Sequence, residues 1–365
     1  MVSIGGVRPL TSVLMGTTAT LPDRPSKTVV VESGGIKYLS NEDLELAGFV
    51  RNHPRSVDSS TKTFWVDVEM QIGVYENPGS GFCEDNHCYY FFPKSEEGAV
   101  SKTAGFVAVF DGHGSFQCSK HCAAKLKEKL LASARTIQGE PLKLLNNIFF
   151  DLERSLYEDV RVGPISHKAG TTATVVLLGT DGFISVAFVG DSEAILVRND
   201  GTVVDLTRKN LLHNRRNPFE RERGNWVPTW VGREQQFRLN GSLNISRALG
   251  DFKLKTDMLY VDPEDASDLR DDAFTESAYP ESGVLAKPYV NRYKVDGSES
   301  FLVVGSDGLF DKLSHGEIAK YIADISKRSV ALEKKEVRSI CEGLCKLARD
   351  KGTTDDITVA ILPLS

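Results

Sequence analysis

Phe106-Val107-Ala108-Val109-Phe110-Asp111-Gly112-His113-Gly114 is the stretch from which the rest of the chain is best read. Its apolar half is too short to cross a membrane and is rich in Val and Phe. It therefore reads as a buried strand, which Gly112-His113-Gly114 then breaks. Asp111 and His113 fall at a sheet edge. Glycines on both sides of His113 let backbone approach a ligand closely, and a carboxylate beside a glycine carbonyl makes a hard oxygen site suited to Mg2+ or Mn2+. The same residues also form ordinary strand-to-loop turns, so the stretch alone does not decide a function.

Upstream, Val29–Val31 and Ile36–Leu39 flank Gly34-Gly35 and predict a hairpin. Phe64–Val68, Gln71–Tyr75 and Cys88–Phe92 read as strands, with the pair Glu84-Asp85 between the last two. Downstream, Ser119–Gln138 has helical spacing and Pro141 opens a second helix. Thr174–Leu178, Ile184–Val189 and Ala194–Val197 read as meander strands, turning at Asp181-Gly182 and Asn199-Asp200-Gly201. Residues 208–238 carry eight Lys/Arg against three acids and read as a solvated helix face. Residues 257–283 are the reverse, nine acids with only Arg270, and read as an exposed insertion. Phe301–Gly305 is a strand ending in Ser306-Asp307-Gly308, and Ser314–Glu317 is a capping box. Leu332–Lys351 is a helix stopped by Gly352, and Ile357–Leu362 is a last strand preceded by Asp355-Asp356. The order predicts one α/β domain of two antiparallel sheets with helices outside.

The chain has 365 residues, a net charge of −6 and a pI near 5.8, which argues against nucleic acid as the main partner. No run reaches the length of a membrane span. Cys83, Cys88, Cys118, Cys122, Cys341 and Cys345 are too few in so long a chain for a disulfide framework, so a reducing compartment is expected. That places the chain in the cytoplasm, with nuclear or organellar sites as alternatives. Met1–Lys27 reads as a disordered tail with weak transit-peptide character. Met15-Gly16-Thr17-Thr18 fits a myristoylation signal only if translation begins at Met15. Cys118, His121 and Cys122 read as one helix face, since no fourth ligand for zinc is apparent.

Asp111, Asp191, Asp307 and Asp355 share one context, an apolar β run meeting a carboxylate beside small residues, and Glu84 stands at a strand entry. Such a set of carboxylates at strand tips implies a cation site, because uncompensated like charges repel. Without Cys or paired His, the donors favour Mg2+ or Mn2+ over Zn2+.

Val109-Phe110-Asp111-Gly112-His113-Gly114, Gly170-Thr171-Thr172-Ala173, Val189-Gly190-Asp191-Ser192, Asn244–Asp251, Gly305–Asp311 and Asp355–Val359 together resemble the ordered motif series of the metal-dependent protein phosphatases of the 2C family. The resemblance runs from about Val66 to the C-terminus. It implies an α+β fold, a four-layer α-β-β-α sandwich of two mostly antiparallel sheets flanked by helix pairs. Residues 63–365 would form this domain, with the acidic insertion at 257–283. Residues 1–62 would form a partly disordered extension carrying the hairpin.

Further implied are two Mg2+ or Mn2+ ions, with a weaker third. Asp111 would bridge the two, the Gly112 carbonyl and Glu84 would hold one, Asp307 and Asp355 the other, and Asp191 with Asp307 the third. His113 would be the general acid. The activity implied is hydrolysis of phosphoserine and phosphothreonine in protein substrates by metal-activated water, from a monomer. Departures from the family pattern are Ser80 where an arginine usually grips phosphate, Glu193 where arginine is usual, and Asp356 for asparagine. They motivate the alternative of a weak or inactive pseudophosphatase that binds proteins.

Overall fold

The structure, a computed structural model, describes residues 28–32, 35–39, 71–75, 83–91, 103–133, 140–163, 165–179, 181–207, 218–231, 234–255, 283–326 and 334–364. The chain divides into two units, Met1–Pro54 and Arg55–Ser365. In the first, β1 (Thr28–Glu32) pairs antiparallel with β2 (Gly35–Leu39). The hairpin expected from sequence forms, but Glu32 pairs with Gly35, so Gly35 belongs to a strand and not to the turn.

The second unit begins with β3 (Gln71–Tyr75), β4 (Asn86–Phe91), β5 (Thr103–Phe110) and the short β6 (Gly112–His113), then α1 (Phe116–Ser133) and α2 (Pro141–Val162). Next come β7 (Gly170–Thr171), β8 (Ala173–Gly179), β9 (Phe183–Val189), β10 (Glu193–Arg198) and β11 (Val203–Asp205). A short helix α3 (Pro218–Arg223), β12 (Trp226–Val231), β13 (Glu234–Leu239) and β14 (Leu249–Gly250) follow. The chain ends with β15 (Tyr289–Lys294), β16 (Glu299–Gly305), α4 (Asp307–Phe310), α5 (His315–Ser326), α6 (Lys334–Asp350) and β17 (Ile357–Pro363). One five-stranded sheet has the order β15-β9-β8-β5-β4 and the other β11-β10-β16-β17-β3. Their pairings are all antiparallel.

Antiparallel strands usually alternate apolar and polar residues because one face meets water. Here both faces are covered. Phe106, Ala108 and Phe110 of β5 pack under α1 and α2 with Leu126, Leu145 and Phe149. Val107 and Val109 point the other way, against Leu196, Val304 and Ala360 of the second sheet. On the far side, Val303, Val359 and Ile361 pack against Ile318, Ile322 and Leu344 of α5 and α6. The result is helices, sheet, sheet, helices, and it explains why the run from Phe106 to Phe110 is apolar without a break.

Local signals place the helix ends. Pro141 is the first residue of α2, where its missing N–H costs nothing. Ser314 donates to Glu317 Oε2 from its amide (3.0 Å) and its hydroxyl (2.8 Å), closing the capping box before α5. Gly352, at φ 87°, ends α6.

The basic stretch 208–238 departs from expectation. Its described part is one short helix and then the hairpin β12–β13, in which Trp226, Val227, Trp230 and Val231 supply β-favouring side chains. Trp226 packs at the hairpin root over Leu239, Ile245 and Val284, whereas Trp230 stays exposed. Met1–Lys27, Phe64–Val68, Ser80, residues 208–217 and nearly all of the acidic insertion lie outside the described residues. Among the described residues no helix is long and apolar enough to cross a membrane.

Phe149 is fully buried and Val162, on the same helix, is 73% exposed. Phe149→Ala is expected to lower unfolding free energy by about 3–5 kcal/mol. Val162→Ala should stay within about 0.5 kcal/mol in the same urea titration. Equal losses would contradict the layer assignment.

Candidate metal centre

The strand registers bring the sequence-predicted carboxylates to one edge of the sandwich. In the first sheet, Asn86 pairs with Phe110, Val109 with Thr174, and Ala173 with Val189. The residues just beyond those pairs are Glu84-Asp85, Asp111, Thr172 and Asp191. In the second sheet, Glu193 pairs with Gly305 and Gly305 with Val359, so the segments 305–307 and 355–357 share an edge.

Hydrogen bonds stitch the two edges together. The Glu84 amide donates to Asp356 Oδ2 (2.7 Å), and the Ser306 hydroxyl donates to Asp85 Oδ2 (2.8 Å). Thr172 and Ser192 share a hydroxyl–hydroxyl bond of 2.7 Å. Asp111 is held by its backbone: its amide donates to Thr172 Oγ1 (3.0 Å), and its carbonyl accepts from Thr171 Oγ1 (3.0 Å) and the Thr172 amide (2.8 Å). Gly112 has to be glycine, since a Cβ there would collide with the Glu84 carbonyl oxygen and Ser119 Oγ.

The electrostatics are those of crowded anions. Burial raises the Asp111 carboxyl well above its ordinary value, and Asp85, Asp307, Asp191 and Asp355 raise it further. Burial likewise lifts Asp307, with Asp191, Asp355 and Asp311 adding to it. Asp191 is pushed to about 6, first by burial and then by Asp311. Asp85 is also pushed to about 6 by burial, although Ser306 and Thr358 pull it back. Glu84 is raised by burial and by Asp356, and His113 opposes this.

Buried Asp307 Oδ1 has no hydrogen-bond partner. An acceptor-only oxygen buried without a donor, beside several other carboxylates, is what a cation would satisfy. The oxygen-only donor set fits Mg2+ or Mn2+. Among the described residues, the one group of three potential ligands whose atoms all lie within 4.8 Å is Glu193, Asp205 and His315.

His113 lies on β6. Its Nε2 is 2.8 Å from Asp251 Oδ2, and the side chains are 28% and 2% exposed. Burial works against the imidazolium, but Asp251, Asp191 and Glu84 outweigh it, so the pKa is raised above 6.5. The Nδ1 atom is not the one engaged by Asp251. Gly170 makes room for this pair, because a Cβ there would strike the Asp251 carboxylate and His113 Nε2.

Asp251 has a left-handed backbone (φ 53°) and donates its amide to the Ala169 carbonyl at 2.9 Å. Beneath it, buried Glu153 accepts from the Gly250 amide (2.9 Å) and from Lys255 Nζ (2.5 Å).

Asp251 closes the motif Asn244–Asp251, and the sequence signal for its part in the site is a carboxylate directly after a glycine. Asp356 proves to be a backbone tether for Glu84, and Glu193 bonds to His315. Cys118 and Cys122 are fully buried on one face of α1, as read from sequence. Burial pushes the Cys118 thiol up to about 12, while His121 bonds to Ser155 and Asp159.

Comparison with known proteins converges on one family. The family profile described as "Protein phosphatase 2C" matches residues 77–357, well over half of the chain. A Saccharomyces cerevisiae "Protein phosphatase 2C homolog 1" is 24% identical over 314 residues, covering 81% of this chain and 94% of that protein. "Protein phosphatase 1E" of Mus musculus is 27% identical over 261 residues, 70% of this chain but 29% of that protein. A Caenorhabditis elegans sex determining protein has a TM-score of 0.62 at 20% identity, over 82% of this chain and 66% of that one. A serine-threonine phosphatase 2C from Toxoplasma gondii has a TM-score of 0.58 at 16% identity, over 84% and 96%. These structural likenesses establish the fold.

Because Asp85 and Asp191 titrate near 6 in the folded chain against an ordinary 3.8, the folded state binds more protons than the unfolded one between those values. Their contribution to stability is therefore present at low pH and is lost as pH rises through 6. Melting of chelator-treated protein should show stability falling from about pH 5 to about pH 7, with Mn2+ restoring it mainly at the higher pH. Asp307→Asn should raise the chelated melting temperature near neutral pH. A flat profile that ignores Mn2+ would count against a shared anionic cluster.

Proposed function

We propose that this chain, which belongs to the protein phosphatase 2C family, hydrolyses phosphoserine and phosphothreonine in proteins with Mg2+ or Mn2+ at the sandwich edge. The observation that carries the proposal is the gathering of half-buried Asp111, Asp191 and Asp307 with exposed Asp355 into one cluster of like charge, with Asp307 Oδ1 lacking a partner. Its curated relatives named above are phosphatases, and the chain spans 94% of the yeast one but 58% of a Caenorhabditis elegans relative. The proposed catalytic domain is 63–365, acting as a monomer, with 1–62 as an extension.

Asp111 would bridge two ions; the Gly112 carbonyl and Glu84 would hold one, Asp307 and Asp355 the other, and Asp191 with Asp307 a weaker third. When bound, the ions supply Lewis acidity that ionises water near neutral pH and offsets charge on the phosphoryl oxygens. The remaining work falls to the chain. Backbone bonds from Thr171 and Thr172 fix Asp111 without using its carboxylate. His113, kept protonated by Asp251, gives its proton to the departing seryl or threonyl oxygen, a poor leaving group as an alkoxide. No side chain need form a covalent phosphoenzyme.

Ser80 favours a second reading, a weakly active or inactive binding module, because a bidentate guanidinium is hard to replace. Phosphopeptide and p-nitrophenyl phosphate hydrolysis decide between the two. Turnover should need Mn2+ or Mg2+, stop with chelator, and fall about 100-fold or more in Asp307→Ala. Absent or chelator-insensitive turnover by folded wild type rejects the first reading. In active enzyme, Ser80→Arg should lower KM about tenfold; an unchanged KM would mean that another basic residue grips the phosphate.

A further inference from the structure

We infer that Glu193, Asp205 and His315 form a second cation site, selective for a borderline divalent ion of the Zn2+ class and separate from the oxygen-only centre. One ligand atom from each residue lies within 4.8 Å of the others. His315 Nε2 is 2.8 Å from Glu193 Oε2, and Nδ1 is 3.9 Å from Asp205 Oδ2. The donors come from three ordered elements. Glu193 opens β10 opposite Gly305, Asp205 closes β11 opposite Ile195, and His315 opens α5 behind its capping box.

Two of the three are oriented by neighbours, as metal ligands usually are. Asp205 Oδ1 accepts the Thr207 amide at 3.0 Å, while Oδ2 is the oxygen nearest His315. Thr207 is itself held, accepting the Ala194 amide through its hydroxyl at 3.1 Å. The His315 ring stands edge-on to Phe310, with centroids 5.7 Å apart and planes at 88°.

The side chains are 16%, 18% and 19% exposed, dry enough to hold geometry and open enough for an ion to enter with water on its free positions. Two carboxylates and one imidazole match the nitrogen-and-oxygen donor sets that take Zn2+, whereas the carboxylate-and-carbonyl centre suits Mg2+ or Mn2+. In the ion's absence the Glu193–His315 hydrogen bond occupies the place. On binding, the proton between those two atoms leaves to solvent and the ion takes over both contacts. An ion here would fasten β10, β11 and α5 together, and none of this depends on phosphatase activity.

The test uses full-length protein with saturating Mg2+ to fill the oxygen-only centre, titrated with Zn2+ by calorimetry and elemental analysis. Wild type should bind one further Zn2+, and His315→Gln should lose it. Glu193→Gln and Asp205→Asn should each weaken it about tenfold or more. In wild type, the His315 ring nitrogens should shift in NMR spectra on adding Zn2+, a readout that stands even if His315→Gln does not fold. Equal Zn2+ uptake by folded wild type and His315→Gln, no extra Zn2+ in wild type, or an unmoved His315 ring would each overturn the inference.

Discussion

Repulsion among carboxylates at one edge of the sandwich is the constraint to which the rest of this structure answers. Asp111, Asp191 and Asp307 are each raised first by burial and then by neighbouring carboxylates: Asp85 and Asp307 for Asp111, Asp311 for Asp191, and Asp191 and Asp355 for Asp307. Anions left alone in this way would spread and hydrate. What prevents it is hydrogen bonding to the backbone that leaves the Asp111 and Glu84 carboxylates uncommitted, from Thr171 and Thr172 on Asp111 and from Asp356 on Glu84, while the Ser306 hydroxyl holds Asp85 through its carboxylate. The fold itself thus holds these carboxylates together, and a cation bound among them would supply the missing counter-charge.

That assembly is affordable because the layers behind it are closed. Both faces of both sheets are covered, one by helices and one by the opposing sheet. Antiparallel registers place chain reversals at a common edge, so residues distant in sequence meet there without long connections. Asp85 and Ser306, 221 positions apart, share a hydrogen bond at the seam between the sheets. The scaffold provides rigidity and the strand tips provide chemistry.

Much of this was legible in the residues. The unbroken run Phe106–Phe110 followed by Asp-Gly-His-Gly gave a buried strand with a polar tip, and Ser314–Glu317 and Gly352 marked helix ends through local chemistry. Patterns that depend on distant partners were harder. The basic residues from Arg208 to Arg238 suggested a helix face, yet β12 and β13 form because Trp226 finds Leu239 and the cluster beneath. Asp251 carried no local sign that it would meet His113 from 138 positions away. Asp356 stands where the family usually has asparagine, and its carboxylate proves to be occupied by an amide. Glu193 stands where arginine is usual, and its partner is an imidazole.

The Glu153–Lys255 pair, 2.5 Å apart and excluded from water, has a consequence for how this sequence can drift. Replacing either residue alone strands the other as an uncompensated buried charge, a loss comparable to much of a domain's stability. Replacing both with apolar residues of similar volume is far less costly. The two positions, 102 residues apart, are therefore tied in inheritance: a lineage can keep both or exchange both, but a path through one at a time crosses a poorly folded intermediate. Since Glu153 also holds the Gly250 amide next to Asp251, descendants that made the exchange would carry its mark in the loop that positions His113.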